Sequence, residues 1–76
     1  MGWIRSENGK YLVNLENVRA ITVDTTYRNT YCVQADVSDK QAYRLTNEKI
    51  TEEEATDILS RIERWLEGGA EGVFQV

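Results

Sequence analysis

The chain has 76 residues, a net charge of −4, no histidine, no proline and one cysteine. That makes one small domain, in which roughly 60–65% of the unfolded surface becomes buried, so its core is marginal without a supplement. A lone Cys32 with no histidine excludes an internal disulfide and a Cys/His metal set, and self-association is the supplement left.

The charge is unevenly spread. Residues 51–67 carry six Asp/Glu against two Arg, while residues 1–50 carry seven Lys/Arg against six Asp/Glu. No Lys/Arg stripe of the kind that tracks a phosphate backbone is present, which argues against nucleic acid as a partner. No signal-like apolar run opens the chain, and no stretch approaches the ~20 apolar residues of a membrane span. The expectation is a soluble protein with no membrane partner, working in the cytoplasm.

In chain order, Trp3-Ile4-Arg5 reads as a first strand. Asn8-Gly9 marks a hairpin turn, and Tyr11-Leu12-Val13 returns as the second strand. Asn14 to Asn17 reads as a tight or 3₁₀ turn, since Asn side chains bond their own backbone. Val18 to Asp24 is β-branched and partly alternating, and Thr25 to Thr30 is polar and turn-like. Tyr31 to Val37 alternates cleanly, with Tyr31, Val33, Ala35 and Val37 on one face. Ser38 to Gln41 turns the chain into a last strand, Ala42 to Leu45, with Tyr43 and Leu45 inward.

The segment 51–69 carries the clearest local signals. Ala55, Ile58, Leu59, Ile62, Trp65 and Leu66 form one apolar stripe at helical period. Thr51 and Glu54 make a capping box, with Ile50 positioned to staple against Ala55. Glu52, Glu53 and Glu54 suit the positive end of the helix dipole. Asp57 and Arg61 add an i,i+4 pair, and Gly68-Gly69 stop the helix.

These elements predict an α+β domain over residues 1–69: an antiparallel meander of four to five strands packed by one C-terminal amphipathic helix. Residues 70–76 form a β-prone tail. It is either frayed or added to a sheet edge, in this chain or in a neighbouring subunit. One helix does not cover both faces of such a sheet. Trp3, Tyr11, Tyr27 and Tyr31 therefore partly face water or a second subunit, and a homo-oligomer is expected.

Little points to catalysis. The usual acid–base residue is missing, Cys32 has no basic partner and falls within a strand, and no Gly-rich phosphate loop appears. The expectation is a protein that is not an enzyme and needs no metal or cofactor. One polar cluster stands out, Tyr27-Arg28-Asn29 between strands, together with Trp3 and Arg5 on the first strand. Aromatic rings beside guanidinium groups suit a stacked base with a bound phosphate.

The opening Trp3-Ile4-Arg5-Ser6, then Tyr43-x-Leu45, Glu54-Ala55 and Ile58-Leu59-x-x-Ile62, resembles a family of small uncharacterised proteins. Its members begin M-W-I-R-S-Q, end in a helix E-x-A-x-x-V-L-D-x-I, and occur in Gram-positive bacteria and their phages. The chain departs from that pattern at Gly2, at Ser60-Arg61 and in its longer tail. The resemblance implies an accessory protein of a mobile element and carries over no catalytic residue.

Two functions of different class follow. The first is a non-catalytic, homo-oligomeric anti-defence inhibitor that sequesters a small nucleotide signal through Trp3, Arg5, Tyr27, Arg28 and Asn29, or covers a host protein surface. The second is a sheet-based regulator that binds single-stranded nucleic acid on aromatic platforms.

Overall fold

The computed structural model describes residues 2–76. Its strands are β1 (Gly2–Arg5), β2 (Leu12–Asn14), β3 (Ala20–Tyr27), β4 (Thr30–Ser38), β5 (Gln41–Arg44) and β6 (Gly72–Gln75); its helix is α1 (Glu52–Glu67). The α+β class stands, but the single meander does not. The strands form two three-stranded sheets, ordered β2-β1-β6 and β3-β4-β5.

The split begins at residues 15–17. A 3₁₀ turn, Leu15–Asn17, follows β2 directly, held by the Asn14 side chain accepting from the Glu16 amide. The turn carries the chain out of the first sheet, so β3 pairs with β4 and not with β2. The vacant side of β1 is taken by the tail instead. Residues 72–75 pair parallel with residues 2–5, and the Gln75 side chain donates to the Ser6 carbonyl at 3.0 Å. The β-prone tail is thus a strand of this chain's own sheet.

Turn lengths also differ from expectation. The first hairpin closes through a wider loop in which the Gly9 amide, at φ +75°, donates to the Ser6 carbonyl at 2.9 Å. Within it, Ser6 is buried and fully bonded: its hydroxyl donates to Asn8 and accepts from the Tyr11 amide. The polar run 25–30 is mostly strand, because its threonines are β-branched and suit a pleated surface. Only Arg28 and Asn29 turn, with Asn29 at φ +50°, where Asn is better tolerated than most residues. The register shifts around Thr26.

α1 forms as its sequence signals require. Thr51 and Glu54 close both halves of the capping box, and Arg61 pairs with Asp57 at 3.3 Å. Ile50, just before the cap, exchanges backbone bonds with Tyr31 and is buried in the same cluster as Ala55. Ala55, Ile58 and Ile62 pack against Ile4 and Val13 of the first sheet and Val33, Ala35 and Leu45 in and after the second. Both sheets therefore share one core. Tyr31 belongs to its margin and packs on it, whereas Trp3, Tyr11 and Tyr27 are exposed.

Gly2 explains how the helix closes over β1. A Cβ there would stand 2.6 Å from the Trp65 ring and 2.5 Å from the Ala70 carbonyl. Trp65 lies over this glycine, meets Phe74 of β6 at 5.4 Å between ring centroids, and donates its indole N–H to the Glu71 carbonyl. Among the described residues no helix is long and apolar enough to cross a membrane.

Candidate functional site

Strand alternation determines which side chains of the first sheet are available. Gly2 and Ile4 point into the core, so Trp3 and Arg5 point out. Trp3 stands beside Asn14 of β2 and Val73 of β6, and Arg5 beside Leu12 and Gln75. Trp3 is 39% exposed.

From there a groove of about 700 Å³ runs around the edge of β2. Trp3, Leu12 and Asn14 line its outer side, and Val13, Val37 and Tyr43 its core side. Lys10, Tyr11 and Asn17 complete it. The wide hairpin loop brings Tyr11 across to β5, where its ring meets Tyr43 at 5.2 Å and 54°. Among the described residues Lys10 is the one charged side chain in this lining. Aromatic surface, a cation and two side-chain amides therefore converge on one open groove. This set suits a planar ring carrying negative charge.

Tyr27, Arg28 and Asn29 lie elsewhere. They form the end of the β3–β4 hairpin, with Tyr27 71% exposed and the Arg28 guanidinium 5.9 Å from its ring centroid. Tyr27 lines a smaller cleft of about 270 Å³ with Thr26, Thr30, Glu48 and Lys49. The Trp3 groove reaches β4 at Val37, whereas the hairpin tip adjoins Thr30. Those two positions are about 23 Å apart along a strand rising about 3.3 Å per residue. The expected five-residue cluster is therefore two groups: Trp3 with Arg5 on the first sheet, and Tyr27, Arg28 and Asn29 at the far end of the second. Neighbouring residue types suggested one site; strand length separates them.

Nothing in the sequence singles out Lys10, Asn14, Asn17 or Tyr43 for the site, and Tyr11 stands out there only as an exposed ring. A signal existed for Tyr11, an aromatic residue just after an Asn-Gly turn. None existed for the Tyr11–Tyr43 contact, which depends on how the two sheets meet.

Cys32 is buried on the opposite face of β4 from Val33 and Ala35. Burial pushes its thiol pKa up; the Arg44 guanidinium opposes this and the Asp24 carboxylate adds to it. A raised pKa reduces the thiolate needed for nucleophilic chemistry. Arg44 itself pairs with Glu48. Among the described residues no cluster of three or more carboxylate or thiol groups is arranged to hold a metal ion.

No known protein family, characterised protein or solved structure matches the chain.

Proposed function

We propose that this is a non-catalytic binding protein that sequesters a small nucleotide in the groove formed by Trp3, Tyr11 and Tyr43. The observation that carries the reading is that those rings line one groove with Lys10, the lone charge of the lining among the described residues. A base stacked on an aromatic side chain gains about 1–3 kcal/mol. The Lys10 ammonium attracts the phosphate, and the Asn14 and Asn17 amides offer donors and acceptors to base or ribose edges. Among the described lining residues no carboxylate repels the anion, and none carries a carboxylate, thiol or imidazole, which supports holding the ligand over turning it over.

The resemblance to phage proteins supplies the context, an inhibitor that removes a nucleotide signal of host defence from the host cytoplasm. Arg5 flanks the groove from the outer face of β1, and the Tyr27-Arg28-Asn29 tip drops out of the binding site. A second reading, an inhibitor that covers a basic host protein surface, draws on the exposed Glu52, Glu53, Glu54, Glu63 and Glu67 of α1. Single-stranded nucleic acid is the weakest of the three, since one lysine does not track a strand.

Titration calorimetry with mononucleotides, dinucleotides and cyclic dinucleotides tests the reading. At least one binds, Tyr11→Ala and Trp3→Ala each weaken it about tenfold or more, and Arg28→Ala leaves it unchanged. No binding by any of them at millimolar concentration overturns the proposal and leaves the acidic helix as the surface to pursue.

A further inference from the structure

Among the described residues the outer edge of β6 pairs with no further strand, and its guards are only its shortness and Gly72 at φ +75°. Gly72, Val73, Phe74 and Gln75 include no charge and no proline, and their pairing with β1 runs without a bulge. The other sheet edges differ. β3 carries Asp24 and an irregular register near Thr26, β5 carries Arg44 and a shift between Gln41 and Ala42, and the edge of β2 opens on the groove opposite Tyr43. An edge in regular register with no charged side chain and no proline is a template for a further strand.

The backbone register identifies the groups on offer. The Val76 amide donates to the Arg5 carbonyl at 3.1 Å, and Phe74 stands beside Ile4. In a parallel ladder, Phe74 and Val76 then turn their backbone groups toward β1, and Val73 and Gln75 turn theirs away. Two outward-facing residues separated by one inward-facing residue form a self-complementary set.

We propose that two copies of this chain pair β6 against β6, antiparallel about a two-fold axis at Phe74, and so join their β2-β1-β6 sheets into one. Val73 of each copy exchanges both backbone bonds with Gln75 of the other, and the two Phe74 rings face one another. Phe74 is half-buried and already rests on Trp65, so the core-side aromatic contacts become continuous across the interface. On the outer face, Val73 and the neighbouring Trp3, both partly exposed, form an apolar strip with their counterparts.

The self-complementary register favours a second copy as the occupant. Two chains of net charge −4 repel one another, and the strand adds little to that repulsion because residues 72–75 carry no charged side chain and the helical acidic residues lie outside the strand. An isologous contact uses the same edge twice and closes as a dimer. A four-residue strand makes a contact at the low end of specific interface sizes. This inference does not rest on the nucleotide reading.

Sedimentation equilibrium tests it. The mass rises with concentration from 8.8 kDa toward twice that value. Val73→Pro removes an outward amide without breaking the β1 ladder, and it weakens association at least about tenfold. Leu12→Lys, on the same outer face but at the far edge of the sheet, leaves association unchanged. In the wild-type chain, amide exchange at Val73 and Gln75 slows as concentration rises, and exchange at Leu12 does not. A wild-type monomer up to millimolar concentration overturns the proposal. So does a dimer that survives Val73→Pro, or one that Leu12→Lys abolishes, since the latter means packing through the sheet face.

Discussion

Gly2→Ala isolates the contact through which the helix, the first strand and the tail meet. Its added methyl would stand 2.6 Å from two Trp65 ring carbons and 2.5 Å from the Ala70 carbonyl oxygen. The ring is free to shift only by disturbing its Phe74 contact and its indole bond to Glu71, and the carbonyl belongs to the backbone. Overpacking of this kind costs about 1–3 kcal/mol. For a domain of this size, each kcal/mol lowers the melting temperature by roughly 4–8 °C, so a fall of roughly 4–24 °C is expected. Thermal unfolding followed by far-UV circular dichroism reads it directly. Trp65→Phe removes the crowding ring atoms, so the double variant loses less than the sum of the singles. Part of the loss remains, because the Ala70 oxygen stays in place. A Gly2→Ala chain melting within about 2 °C of wild type would refute the packing of Trp65 over β1.

Thr46 is buried, and its hydroxyl accepts from the Val33 amide at 3.1 Å while donating to the Asn47 carbonyl. Thr46→Val leaves that amide unpaired and destabilises by about 1–3 kcal/mol, read as a lower urea midpoint at unchanged slope; an unchanged midpoint contradicts it. Cys32 gives a pH dependence. The folded chain holds its thiol proton more tightly than the unfolded chain does. That stabilising contribution is whole below the unfolded thiol pKa and is lost as pH rises through the folded value. Cys32→Ala therefore flattens the alkaline limb of the stability profile, and limbs that stay parallel in both proteins contradict the assignment.

What the sequence made legible was local. The capping box at Thr51 and Glu54, the stripe from Ala55 to Ile62 and the stop at Gly68 are all decided within a few residues, and the helix follows them. The pairing of residues 2–5 with residues 72–75 accompanies the packing of Trp65 over Gly2, a contact between distant parts of the chain that no periodicity announces. The same holds for the site. Trp3 is recognisable as an outward aromatic on a strand whose neighbours point inward. Its groove needs Tyr43 from a different sheet, brought near by a hairpin loop wider than Asn-Gly alone implies. Conversely, Tyr27 and Arg28 do interact as sequence neighbours, but a strand that continues through Thr25 and Thr26 carries them away from Trp3.

The central claim is where ligand binds, and amide chemical shifts report position without assuming affinity. Titration of the isotopically labelled protein with the nucleotide that calorimetry selects is predicted to move the resonances of Lys10 to Asn14, Asn17, Tyr43 and the Trp3 indole, and to leave Tyr27 to Asn29 unmoved. Shifts confined to the hairpin tip, or no shifts at saturating nucleotide, would contradict it.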